Sequence, residues 1–173
     1  MGNRMLIEEV RGIDRLHPSW TAWPGKKLEA ETLREGNVKA VRFFPLIHGG
    51  YSLSDWIVGD LFEQLERWRM PAVLHITRSS ADADTITSIG DTSYEWVPEA
   101  CWESILKLGR KYPNVPMIIP RVGYQDANFI KSLMKTHPNL YMDISDYNPF
   151  YGIEDLVATV GAERLLYGSW YPF

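Results

Sequence analysis

Two histidines lie close to the end of an apolar run, and a histidine side chain can accept or donate a proton. His75 lies near the end of the run 71–76 and is followed by Arg78, and His48 follows the run 38–45 in a glycine-containing segment. Parallel sheets keep their sites at the carboxyl ends of their strands. His75 is therefore a candidate general acid or base, with His48 and Arg78 as candidate binding residues. The alternative is a hydrogen-bonded core histidine at 75 and a surface histidine at 48.

Two charged side chains accompany the next two apolar runs. Arg121 follows the run 115–120, and Asp143 lies near the end of the run 140–144. A buried guanidinium needs an anion, because an unpaired buried charge is costly. Asp143 is one candidate for that anion, in a structural ion pair. In the functional interpretation Arg121 instead holds a substrate carboxylate or phosphate through its fork of donors, with His75 nearby.

The chain has seven tryptophans, which fall into two groups. Those at helical spacing with other apolar residues are predicted to be core residues: Trp56, Trp68 and Trp102. The others are predicted in loops or at strand ends, where they are candidates for lining an apolar pocket: Trp20, Trp23, Trp96 and Trp170.

Apolar runs that suit buried strands alternate with amphipathic stretches of helical spacing. The predicted strands are 38–45, 71–76, 115–120, 140–144 and 165–168. A further strand is predicted within 15–23, between helical segments at 5–10 and 28–35. This alternation predicts an α/β protein with a parallel sheet, either doubly wound or closed into a barrel. The periodicity does not choose between the two.

Composition narrows the class of protein. The length of 173 residues predicts a single domain, and the net charge of -4 predicts that the protein does not bind nucleic acid. No apolar run is long enough to cross a membrane, and the first residues do not have the pattern of a secretory signal, so the sequence predicts a cytoplasmic protein. The single cysteine, Cys101, stands among apolar residues at helical spacing and is predicted to be buried.

Several segments together resemble the amidohydrolase-related family, which comprises metal-dependent hydrolases and decarboxylases with a TIM-barrel fold. Residues 161–173, GAERLLYGSWYPF, resemble the last barrel strand of that family. Four earlier segments resemble its fourth to seventh strands in order: 38–45, 71–76, 112–123 and 137–145. The resemblance implies one amidohydrolase-like domain over 1–173, with a partial or truncated TIM-barrel-like parallel sheet of about six βα units that lacks the family's first strands.

The family binds a divalent metal such as zinc, and the resemblance implies that this chain has lost most of the ligands. The first barrel strand of the family carries a His-x-His pair, which none of the four histidines here forms. His75 matches the ligand of the fifth strand, whereas Arg121 and Trp170 stand at the ligand positions of the sixth and eighth. A guanidinium cannot donate a lone pair to a metal, so no metal cofactor is expected.

These observations predict an amidohydrolase-related protein of hydrolase or decarboxylase ancestry with a degraded metal site, which binds a small carboxylate-bearing molecule. The predicted catalytic residues are His75 and Asp143, and the predicted binding residues are Arg121, His48, Arg78 and Trp170. One alternative is an enzyme that works without a metal, with His75 as acid or base. Another is a non-catalytic binding or assembly module, because sheet edges at 15–23 and 165–169 would favour a homo-oligomer.

Overall fold

The computed structural model describes residues 2–45, 50–76, 97 and 99–168, and its central feature is one parallel sheet. The strands are β1 (Ser19–Thr21), β2 (Ala40–Phe43), β3 (Ala72–Leu74), β4 (Met117–Ile119), β5 (Leu140–Asp143) and β6 (Leu165–Leu166). They follow one another in the order β1-β2-β3-β4-β5-β6, and each neighbouring pair is parallel. A doubly wound sheet reverses its strand order at a switch point, and this sheet does not. The fold is therefore α/β with the consecutive strand order of a partial TIM barrel.

Helices connect and cover the strands. They are α1 (Gly2–Glu9), α2 (Ala30–Glu35), α3 (Asp55–Trp68), α4 (Glu99–Lys111), α5 (Ala127–Thr136) and α6 (Gly152–Val160). Short 3-10 turns at Tyr124–Asp126 and Ala162–Arg164 precede α5 and β6. The six strands lie within the six predicted segments, so the apolar runs located the strands correctly. No helix in the described part of the chain is long and apolar enough to span a membrane.

Alternate strand residues form the core between the sheet and the helices. Val41 and Phe43 of β2 are fully buried, as are Met117 and Ile119 of β4. The Phe43 ring lies 5.4 Å from the ring of Phe62 on α3, which places this face of the sheet against the helices. Burying a large apolar side chain contributes about 1.5–3 kcal/mol, so this layer is a main source of stability.

The helical tryptophans differ from one another in burial. Trp102 is 3% exposed and Cys101 is 8% exposed, as predicted for core residues of α4. The prediction was wrong for Trp56, which is 86% exposed, and for Trp68, which is 36% exposed. The buried stripe of α3 runs through Val58, Leu61, Phe62 and Leu65. Trp56 lies two residues before that stripe begins, about 200° around the helix axis, and therefore faces away from the core.

The outer edge of β1 is covered in part by α1. The Asn3 amide nitrogen donates to the Thr21 carbonyl oxygen at 2.9 Å, and the Asn3 side-chain oxygen accepts from the Thr21 N–H at 2.9 Å. One carboxamide thus makes the pair of hydrogen bonds that a neighbouring strand would make at this position. The predicted sheet edge within 15–23 is therefore covered by a side chain at Thr21.

Candidate functional site

The face of the sheet opposite the helix-packed layer carries the candidate site. Arg42, Val73, Ile118 and Tyr141 lie side by side on this face in β2 to β5. Side chains two residues apart in a strand share a face, so His75 and Asp143 continue it toward the carboxyl end. Both side chains are half-buried. This is the end of a parallel sheet at which such folds place their sites.

Three contacts fix the position of the His75 imidazole. The His75 backbone N–H donates to the Phe43 carbonyl at 2.9 Å, which extends the pairing of β2 with β3. The imidazole stacks on the Phe44 ring, with centroids 4.4 Å apart and planes 13° from parallel. Its Nε2 lies 3.0 Å from Nη1 of Arg42. Because a guanidinium has only donors, His75 accepts at Nε2 and its proton belongs on Nδ1.

Arg42 links β1 to the end of β3 across this face of the sheet. Its Nε donates to Oγ of Ser19 at 2.6 Å, and its Nη1 donates to His75. Neither described hydrogen bond uses Nη2. Burial lowers the pKa of Arg42, and the negative charge of Asp143 opposes that effect. Arg42 was not among the predicted site residues, although a single arginine between Val41 and Phe43 in an apolar run was a usable signal.

Arg121 and Asp143 lie at the ends of β4 and β5. Arg121 has a left-handed backbone with φ of 57°, which a residue other than glycine adopts rarely and often at functional sites. Asp143 accepts the Ser145 N–H at 2.7 Å through Oδ1. A Cβ on Gly168 would lie 2.5 Å from its Oδ2, so only glycine fits there without displacement. The ion pair of Arg121 with Asp143 stays a prediction.

The electrostatics of the site favour a neutral His75. Burial, the charge of Arg42 and the charge of Arg121, in that order, lower the pKa of His75 from 6.5 to about 3. Both arginines therefore lie close enough to act on the imidazole, and Asp143 acts on Arg42. At neutral pH an imidazole with this pKa is a weak general base, and its remaining Nδ1 proton is too weakly acidic for general acid catalysis.

The remaining predicted site residues lie outside the part of the chain that the structure describes. They are His48, Arg78 and Trp170, and Trp96 also falls there. Their roles stay predictions.

The described residues do not fit a divalent metal. Within residues 2–45, 50–76, 97 and 99–168, no group of three or more His, Cys, Asp or Glu side chains is placed to hold an ion. The Nε2 lone pair of His75 is directed to a guanidinium, which would repel a cation beside it. These side chains favour an anion over a cation.

The chain belongs to the amidohydrolase family. A sequence model of that family, described as "Amidohydrolase", matches residues 3–173. No protein of curated function matches the sequence significantly.

Solved structures share the fold of this chain at low sequence identity. An uncharacterized TIM-barrel protein from Bordetella bronchiseptica matches with a TM-score of 0.70 and 16% identity, over 98% of this chain and 59% of that one. A 2,6-dihydroxybenzoate decarboxylase with bound 2,6-dihydroxybenzoate has a TM-score of 0.62 and 15% identity, over 99% and 65%. A candidate 2-pyrone-4,6-dicarboxylic acid hydrolase from Pseudomonas putida has a TM-score of 0.61 and 20% identity, over 98% and 62%. This chain thus spans less than two thirds of the length of each of these proteins.

Proposed function

We propose that this amidohydrolase-family chain binds a small carboxylate-bearing molecule at the carboxyl ends of β2 to β5, and that its ancestral metal site is degraded. The observation that carries the proposal is the 3.0 Å contact between Nη1 of Arg42 and Nε2 of His75. By resemblance, His75 stands where the family has a metal ligand. An arginine directed at that imidazole replaces the attraction for a cation with attraction for an anion.

The balance of charge supports an anionic ligand. Arg42 and Arg121 both act electrostatically on His75, and Asp143 acts on Arg42. Arg42 and Arg121 both place positive charge near one imidazole on a half-buried face. Such a face binds a carboxylate more strongly than an exposed surface does, because the interaction is less screened.

Each residue has a distinct role in this proposal. Arg42 and Arg121 hold the ligand carboxylate by charge-assisted hydrogen bonds, and Nη2 of Arg42 has donors that its described contacts do not use. The neutral His75 keeps Arg42 in place by accepting from Nη1. Asp143 stabilises the charge of Arg42 through its own negative charge. The low pKa of His75 does not favour acid or base catalysis without a metal at neutral pH.

Two of the structural neighbours guide the choice of probe. One is named for 2,6-dihydroxybenzoate and the other for 2-pyrone-4,6-dicarboxylic acid, and both compounds are rings that bear carboxylate. Benzoate is therefore a suitable minimal ligand for this chain.

The test is calorimetric titration of benzoate into the wild type and three variants, with and without a chelator. We expect Arg42→Met and Arg121→Ala each to weaken binding about tenfold or more, because each removes charge-assisted hydrogen bonds. Arg67→Ala is the control, since Arg67 is 71% exposed on α3. Circular dichroism checks that each variant is folded. Binding that appears only after loading with zinc or manganese would refute the proposal.

A further inference from the structure

A cavity of about 330 Å³ lies at the amino ends of β2 and β3, the opposite end of the sheet from the proposed carboxylate site. Val38 and Met70 line it, and each stands two residues before its strand begins. Small-molecule sites commonly enclose about 300–1,000 Å³, so this cavity has room for a compact ligand. Its described lining shares no residue with the proposed carboxylate site.

Two helix ends of the same kind form the walls of the cavity. Asn37 after α2 and Arg69 after α3 both have a left-handed backbone, with φ of 50° and 49°. In each case the following residue, Val38 or Met70, donates its N–H at 2.9 Å to a leucine carbonyl of the preceding helix. Such caps fix the direction in which the chain leaves a helix. The backbone hydrogen bonds therefore hold Val38 and Met70 in place as parts of the lining.

The inner part of the lining is apolar. Leu33 is 2% exposed and Val38 is 5% exposed, so both belong to the floor of the cavity. Met70 is half-buried, and Trp68 is 36% exposed although its helical spacing predicted a core residue. Part of the indole surface is thus open to a ligand. Apolar ligand surface that enters this space leaves water, which favours binding.

The polar part of the lining is cationic. Arg34 and Lys39 line the cavity and are exposed, and no acidic side chain lies among the described residues that form it. Within the part of the chain that the structure describes, neither cation makes an ion pair with a carboxylate. Exposed charges hold a free ion weakly, because salt screens them. An anionic group attached to a bound apolar body meets them at high effective concentration.

We infer that this cavity is a second ligand site, which takes a small amphiphilic anion with an apolar body and one anionic group. The body contacts Leu33, Val38 and Trp68, and the anionic group lies at Arg34 and Lys39. Parallel barrels keep their chemistry at the carboxyl ends of the strands, so a ligand at the amino ends is bound rather than converted. The inference is independent of the proposed function.

The experiment follows the indole Nε1–H signal of Trp68 by NMR while octanoate or 1-octanol is added to the full chain. Trp68→Phe assigns the signal. We expect octanoate to shift the signal saturably and to bind about three- to tenfold more tightly than 1-octanol in low salt, because only octanoate carries a charge. The preference should decrease in high salt.

Paired variants test the cationic residues. Arg34→Gln/Lys39→Gln should reduce the preference for octanoate to less than twofold and leave 1-octanol binding unchanged, because glutamine keeps much of the apolar stem. The matched control is Arg67→Gln/Lys107→Gln, which removes the same charge from side chains that are 71% and 73% exposed on α3 and α4. The control should keep the preference. Circular dichroism checks that each variant is folded.

Arg121→Ala separates this site from the proposed carboxylate site and should leave the response of Trp68 to octanoate unchanged. If Arg121→Ala abolishes the response, or if octanoate and 1-octanol bind the wild type equally well, the inference is wrong. It is also wrong if the Trp68 signal shifts on dilution of the protein and not with octanoate, because a second copy of the chain then covers the cavity. Each of these results leaves the proposed function to be judged by benzoate binding alone.

Discussion

Arg42 donates from Nη1 to Nε2 of His75 at 3.0 Å, so a positive charge lies where a metal-binding imidazole would offer its lone pair. The two residues come from neighbouring parallel strands and lie on the same face of the sheet. The contact removes the acceptor that a cation needs and adds donors that an anion needs. The proposed anion site rests on this contact.

The first prediction concerns the protonation of His75. Burial and two nearby arginines disfavour the imidazolium, so His75 should stay neutral between pH 5 and 8 in the wild type. In Arg42→Met one of the positive charges is gone, and the midpoint of His75 should rise. Proton NMR of the imidazole resonances measures both, with His75→Gln to assign the signal. A wild-type midpoint near 6.5 would contradict the prediction.

The second prediction concerns metal content. We expect elemental mass spectrometry of protein purified without chelator to find far less than one zinc, manganese or iron ion per chain. Loading with zinc and manganese should not change this, because the described side chains do not converge on a cation. His75→Ala is the matched variant. About one ion per chain in the wild type and none in the variant would contradict the prediction and indicate a metal site that includes His75.

The third prediction concerns the approach of Gly168 to Asp143. A Cβ at position 168 would lie 2.5 and 2.6 Å from the two carboxylate oxygens, so Gly168→Ala must displace the Asp143 side chain or the backbone. Because the clash is with the end of one side chain, the cost is that of an unfavourable rotamer, about 0.5–1.5 kcal/mol in the free energy of unfolding, measured by urea denaturation. Benzoate binding should weaken as well. Gly2→Ala is the control, because a Cβ there meets nothing within 4 Å.

The fourth prediction concerns the contact between α3 and the end of α4. The Asp55 carboxylate accepts from Lys111 at 2.7 Å and from the Tyr112 hydroxyl at 2.8 Å, and these bonds lower its pKa below 3.8. The charged form is therefore stabilised in the folded state above that pH, and the stabilisation is lost as the pH falls through the folded pKa. Asp55→Asn should lower the melting temperature at pH 7.

The pH dependence of that difference is the decisive part. The gap in melting temperature between the wild type and Asp55→Asn should shrink as the pH falls below 3.8, because the wild-type carboxyl then becomes neutral too. Lys107→Met is the control, since it breaks only an exposed pair with Glu103 on α4. A gap that is constant from pH 7 to acid would show that Asp55 acts by hydrogen bonding alone.

The strands were predictable because buried parallel strands are nearly continuous apolar runs. Phe43 and Met117 belong to such runs and are fully buried. The exposure of Trp56 was not predictable from helical spacing alone. A residue at the start of an amphipathic stretch can lie on the buried face of the helix or on the opposite face. Its 86% exposure depends on which residues of α3 meet the sheet.

The site was predictable in part. His75, Arg121 and Asp143 stand out because each is a polar side chain near the end of an apolar run. Arg42 does not stand out in this way, and its partner His75 is 33 residues away in the sequence. Their contact arises from the register that aligns Arg42 with Val73, which no local pattern records. The left-handed backbone at Arg121 was not predictable either, because the residue there is not a glycine.

The carboxamide of Asn3 has a consequence for the chain in solution. It occupies the donor and the acceptor of Thr21, which would otherwise pair with any extended peptide that met this side of the sheet. Asn3 therefore opposes β-augmentation at Thr21. A small polar side chain on the first turn of α1 thereby closes one position of the sheet edge to strand addition.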